Sequence, residues 1–263
     1  MNWSVGKFIL GIISGSIAVA VYGVAAQINS LYLMFSSSIS NVFTPRVNKI
    51  VAESNDDKIL TDLFTRVGRI QFIIMFLILS GLVVFGQYFI QIWAGQGYEE
   101  AYWMVLLLVI PVTVPLIQNL GVEIQRAKNM HQFRSIVYAG IAIANIFLSI
   151  PLVKLYGGIG AAAGTAISLI IGNGLIMNIY YHKKIGLNII YFWKQIVAFI
   201  PALILPTILA VIIMKFIAFD SIIKFGLTII LYTLVYCVSM WVFGMNQYEK
   251  ELLKKPLQNL FRK

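Results

Sequence analysis

The chain has 263 residues, of which 60% are hydrophobic and 11% charged, with a formal net charge of +10. Its mean hydropathy is +0.87, and since soluble domains carry about 25% charged residues, an ordinary water-soluble globule is excluded. The Lys and Arg residues sit at the ends of apolar runs, so the basic balance reads as a collar facing anionic lipid, with no nucleic-acid partner.

A bilayer core of about 30 Å takes roughly 20 apolar residues of helix, and the chain supplies such runs repeatedly. Backbone groups in lipid must be satisfied within the segment, and these runs are far too long for barrel strands. The expected fold is all-α: a polytopic transmembrane helix bundle.

From Phe8 to Pro45 there is no charged residue, and at 1.5 Å per residue one helix over that run would be about 57 Å long, too long for a single crossing. Two helices are therefore expected, with the turn at Ser14-Gly15-Ser16. Residues 1–14 then read as part of a truncated first transmembrane helix, because neither a basic n-region nor a cleavage-type site marks a signal peptide. Residues 15–243 read as a bundle of seven spans, near Ile17 to Phe43, Arg66 to Ile92, Tyr102 to Val122, Ile136 to Leu152, Gly158 to Tyr181, Phe192 to Phe216 and Ile222 to Phe243. Residues 244–263 form a basic tail whose Leu252, Leu253, Leu257, Leu260 and Phe261 suit a helix on the membrane surface, broken at Pro256. A solvated basic tail fits it equally.

Alternate connections differ in charge. One set, with the tail, carries sixteen Lys and Arg residues and the other only Lys154, Lys215 and Lys224. Basic connections stay on the cytoplasmic side, which places the C-terminus in the cytoplasm. Cys237, the single cysteine, lies in the last apolar run and is expected in the packed core; no intrachain disulfide or CxxC metal site is available.

Several residues are candidates for chemistry. Tyr22, Asn29, Ser36 and Ser40 share one helical face, which serves either a water-filled cavity or hydrogen bonds between helices. Lys7 is a cation inside an apolar helix; either it meets an anion or it snorkels to an interface. Asn119, Glu123 and Arg126 fall at spacings of four and three, which allows a Glu–Arg pair along one face. Pro111 and Pro115 are expected to bend the helix that carries them. Gly160, Gly164, Ser168 and Gly172 recur every fourth residue, a stripe that lets two helices approach closely.

Enzymatic signals are weak. His131 and His182 lie in basic connections with no paired carboxylates or HExxH spacing, and Glu99, Glu100 and Asp220 sit in short loops. A non-enzymatic protein is expected, without a cofactor or metal. The rival from another class is a membrane enzyme of polysaccharide assembly acting through the exposed Glu99 and Glu100.

The strings Trp93-Ala-Gly95-Gln-Gly-Tyr98-Glu-Glu-Ala101, Gln125-Arg-Ala127-Lys128-Asn129 and Tyr156-Gly-Gly-Ile-Gly160-Ala-Ala-Ala-Gly164, with Pro45-Arg46 after a Ser-rich helix, are the basis of a family likeness. In order and spacing they resemble the C-terminal half of bacterial polysaccharide flippases, the O-antigen and capsule-unit transporters of the multidrug/oligosaccharidyl-lipid/polysaccharide exporter superfamily. The resemblance implies the C-terminal lobe of a two-lobed fold that alternates access to a central cationic cavity. It implies an undecaprenyl-pyrophosphate-linked glycan as substrate, a bacterial inner-membrane location, and Lys7, Tyr22 and Asn29 on the cavity wall with Lys7 at the pyrophosphate. Family members often carry an acidic residue before that lysine, where this chain has Gly6. It also implies that the N-terminal lobe comes from a missing upstream segment or a separate chain. The nearest rival is a cation-coupled multidrug exporter of the same superfamily, which needs a membrane-embedded carboxylate. Glu123 is the only acidic residue near a helix interior.

Overall fold

A computed structural model of the chain describes the backbone of residues 2–54 and 56–260, and the side chains of 6–54, 56–252 and 254. Met1 and the side chains of Leu253, Leu257, Leu260, Phe261 and the last basic residues of the tail lie outside the described residues. Every described regular element is helical, so the all-α expectation holds. Four helical stretches are long and apolar enough to cross a membrane, or six if each of two bent pairs is one span, among the described residues. With exposed Ile, Leu, Val and Phe over most of the outer surface, this is a multi-pass membrane protein: in water such a surface would aggregate, whereas lipid solvates it.

The chain divides into two compact units, residues 1–192 and 193–263. In the first, α1 (Asn2–Glu53) is interrupted at Gly15, whose φ of 82° only glycine adopts readily. The chain doubles back there. A Cβ on Gly11 would touch Val19 at 3.4 Å, and one on Gly6 would meet the Tyr22 hydroxyl at 2.9 Å, contacts that a continuous helix cannot make over eight or sixteen residues. Next come α2 (Asp57–Ala94), α3 (Ala101–Ile117) and α4 (Leu120–Ala127). The last two form a broken span bent by 47°. Pro111 and Pro115 lie inside α3, and each removes a backbone donor; the break falls at Gln118 and Asn119, within a turn of Pro115.

The next helical stretch, α5 (Gln132–Leu169), continues through a π segment and further turns to Ile185. It contains a second reversal, at Gly157 with φ 55°. Beyond it the small-residue stripe lies directly on the preceding helix: a Cβ on Gly160 would collide with the Leu152 carbonyl, one on Gly164 with Ser149, one on Gly172 with Ile141. The seam is also hydrogen-bonded, with the Asn145 amide donating to the Thr165 hydroxyl at 3.3 Å and the Ser149 hydroxyl to the Asn145 carbonyl oxygen at 2.7 Å.

Two of the strings behind the family likeness contain turns held by local chemistry. Gly95 and Gly97 both have φ near 90°, and the Gly97 amide donates to the Glu99 carboxylate at 3.1 Å. That bond holds the exposed Glu99 below the usual carboxylate range. Asn129 is the one described non-glycine residue with positive φ, 57°, a conformation Asn tolerates well. The chain folds there so that the Met130 amide reaches the Gln125 carbonyl at 2.8 Å. Residues of three basic connections, Asp57, Lys128, Lys183 and Lys184, line one cavity, so these connections lie at one end of the unit.

In the second unit, α7 (Ile200–Phe216) and α8 (Ile222–Ser239) follow the short α6 (Ile189–Val197). The Ser239 hydroxyl ties α8 to α7 by donating to the Ala202 carbonyl at 2.6 Å. Two expectations fail here. Cys237 is exposed, because Tyr232, Tyr236 and Ser239 occupy the buried stripe of α8 and turn position 237 outward. The tail helix α9 (Gln247–Leu260) runs through Pro256 without a break. Its start is fixed by reciprocal bonds, Asn246 amide to Glu249 carboxylate and Glu249 amide to Asn246 side chain, both 2.9 Å.

Candidate functional site

The six candidate residues do not converge. Tyr22 lies two turns after the Gly15 reversal and Asn29 two turns further on, whereas Thr44, which donates to Glu123 at 3.5 Å, marks the other end. From Tyr22 to Thr44 is 22 residues, about 33 Å of helix.

Around the first group, Tyr22 is fully buried in the core with Ala25, Tyr102, Met104 and Ala161. Gly6 makes room for its hydroxyl, which approaches Thr165 without hydrogen-bond geometry. Asn29 is 1% exposed and its side-chain oxygen has no partner. Below them the same face is a helix-to-helix seam. The Tyr32 hydroxyl is hydrogen-bonded to the Thr113 hydroxyl at 2.8 Å and lies within donating distance of the Met75 carbonyl at 3.1 Å. Ser36 donates to the Leu116 carbonyl at 2.8 Å; the Gln71 amide donates to the Ser40 hydroxyl at 2.8 Å and to Ser36. The polar stripe therefore joins α1 to α2 and α3 along its lower half. Lys7 is half-buried, eight residues or about 12 Å of helix before the Gly15 turn, and makes no hydrogen bond or ion pair among the described residues.

The second group lies at the broken span. Arg126 donates to Glu123 at 2.9 Å, and the Glu123 side chain is 13% exposed, so the pair anticipated along α4 forms. Asn119 lines a cavity of about 550 Å³ between α1, α3 and α5. Arg126 lines an adjoining cavity of about 520 Å³ with Gln125 and His131. Arg134, Ser135 and Tyr138 border both, so the two make one cleft with Arg134 at its waist. The Arg134 guanidinium is held by the Tyr138 hydroxyl at 3.0 Å and lies 4.8 Å over that ring. Beside the lining residue Asn119, Gln118 donates its side-chain amide to the Asn178 side chain at 2.8 Å. Asn178 in turn donates to the carbonyls of Asn173 and Gly174, in the π segment, at 3.0 and 2.9 Å.

Reasoning from spacing missed Gln118, Asn173 and Asn178. The signal available was polar amides inside apolar runs; their grouping depends on the break after α3 and the reversal at Gly157. No cluster of three metal-ligating side chains occurs among the described residues. Comparison with protein-family models, with curated proteins and with solved structures gives no match.

Proposed function

We propose that this chain forms one lobe of a transporter that moves lipid-pyrophosphate-linked oligosaccharide repeat units across a bacterial inner membrane by alternating access. It acts with a second lobe and without covalent chemistry, and its C-terminus is cytoplasmic. The observation that carries the reading is Lys7: a half-buried cation about 12 Å from the end of its helix, with no partner among the described residues. A desolvated ammonium is costly without an anion, and the pyrophosphate of a lipid-linked glycan is an anion that enters the membrane while its tail stays in lipid. Gly6 and the buried Tyr22 pack together beside it, and Asn29 lies two turns further along the same face as Tyr22. The bent α3–α4 span fits a moving lobe, since broken helices are common where transporters bind or hinge. Glu123, the carboxylate that a cation-coupled drug exporter would need, is already paired with Arg126.

The test is translocation of a fluorescent undecaprenyl-pyrophosphate oligosaccharide in inverted membrane vesicles from cells expressing the gene at its own locus. Transport that depends on the gene supports the reading. Drug efflux without glycan movement would assign the protein to the exporter rival, and loss of glycan synthesis with normal translocation after Glu99 and Glu100 replacement would assign it to an enzyme.

A further inference from the structure

The cleft at the basic end of the first unit is amphipathic along its length. Its inner part is walled by Leu33, Val112, Leu116, Ala142 and Leu169; its mouth carries Arg126 and His131, with Arg134 between the two. Two buried amides on its walls lack partners. Gln125, 0% exposed, leaves both side-chain polar atoms without a hydrogen bond, and Asn173, 3% exposed, leaves its amide nitrogen so. Buried polar groups are nearly always satisfied, because leaving one unmade forfeits its hydration. Both sit on the wall of the same cleft, one in each part, with a guanidinium between them. Arg134 forms no ion pair with a described carboxylate, and Tyr138 fixes its orientation.

We propose that this cleft holds an anionic phospholipid from the leaflet at the basic end of the protein. The phosphate lies at Arg134, Gln125 and Asn173 supply amide donors from the two sides, and one acyl chain fills the inner part. Arg presents a planar fork of donors suited to a phosphate, and basic pockets between helices at this depth recognise acidic headgroups. A volume of about 550 Å³ for the inner part is in the range of small-molecule sites. The apolar wall decides between the sources of phosphate: a free anion makes no use of it, an acyl chain does. The site stands apart from Lys7 at the other end of the unit and needs only membrane insertion, so it stands or falls independently of the transport reading.

The experiment is native mass spectrometry of the full chain released from neutral detergent, titrated with phosphatidylglycerol, phosphatidylcholine or inorganic phosphate. One phosphatidylglycerol is expected to be retained, with about a tenfold preference over phosphatidylcholine, and millimolar phosphate is not expected to displace it. Arg134→Gln removes the preference, and Ala139→Trp, on the exposed rim of the inner part, weakens retention with the charge intact. Lys184→Gln, an equal loss of charge outside the cleft, changes neither. Gln125→Leu separates a ligand role from a structural one: it raises the thermal midpoint of the lipid-free protein while weakening lipid retention. Equal retention of both lipids, displacement by phosphate, or an effect of Lys184→Gln as large as that of Arg134→Gln overturns the proposal. If Arg134→Gln does not fold, the Ala139→Trp and Gln125→Leu results decide.

Discussion

Lys128 reaches across 71 positions of sequence to pair with Asp57, and the same ammonium donates to the Ile185 carbonyl at 3.0 Å. One side chain thus fastens three basic connections. Lys128 is 9% exposed whereas Asp57 is 53% exposed, so the burden of desolvation falls on the lysine. Lys128→Met is expected to cost about 2 kcal/mol, since hydrogen bonds to charged groups are worth roughly 1.5–3. Asp57→Asn should cost less, because its partner keeps the Ile185 carbonyl. Unfolding in mixed micelles by added SDS reads both. Gly186→Ala belongs to the same set: φ at Gly186 is +87° and an added Cβ would fall on the Asp57 carboxylate, so it should be at least as damaging as Asp57→Asn.

The reversal at Gly157 predicts unequal glycines. Gly160→Ala drives a methyl into the Leu152 backbone, which cannot yield as a side chain can, and should cost about 1–3 kcal/mol as overpacking does. Gly140→Ala, where nothing lies within 4 Å, should be neutral or slightly stabilising. The ordering of thermal midpoints checks this.

Removing the middle of the α1 seam tests whether the polar stripe is structural there. Gln71→Leu takes the amide from Ser36 and Ser40, and hydrogen bonds between membrane helices are worth about 0.6–2 kcal/mol. A loss in that range with transport retained is expected. Loss of transport at unchanged stability would move the site down to this layer.

The loop after α2 carries a pH signature. The Gly97 amide holds the Glu99 carboxylate below the ordinary range, so its contribution is fully present above the usual Glu value and is lost as pH falls through the lowered one. The protection of the Gly97 amide, its exchange rate taken against the intrinsic rate at the same pH, should therefore fall on acidification, and Glu99→Gln should remove that dependence.

Much of the fold was legible because it rests on local chemistry. Charge-free length demanded a turn near Gly15, and the every-fourth-residue stripe from Gly160 announced a close helix pair. The Glu123–Arg126 pair followed from a three-residue spacing. What could not be read depends on distant partners. The face of Tyr22, Asn29, Ser36 and Ser40 shows one periodicity, yet only the partners contributed by α2 and α3 separate its hydrogen-bonded seam from the layer of Tyr22 and Asn29. Asn173 and Gln125 are far apart in sequence and meet one cleft because α3 breaks after Pro115 and α5 doubles back. Position 237 turned outward for a similar reason: an apolar run in lipid has no polar face to fix its rotation, so the neighbours of α8 chose it.

Lys7→Ala in the vesicle translocation assay decides whether the buried cation carries the pyrophosphate. Labelled lipid-pyrophosphate oligosaccharide is expected to move with the native gene and to slow by an order of magnitude or more with Lys7→Ala, while Lys7→Arg keeps most of the rate, since removing one partner of a buried charge pair costs about 2–5 kcal/mol and retaining the charge does not. Equal transport by the native protein and Lys7→Ala, at matched amounts in the membrane, would contradict it.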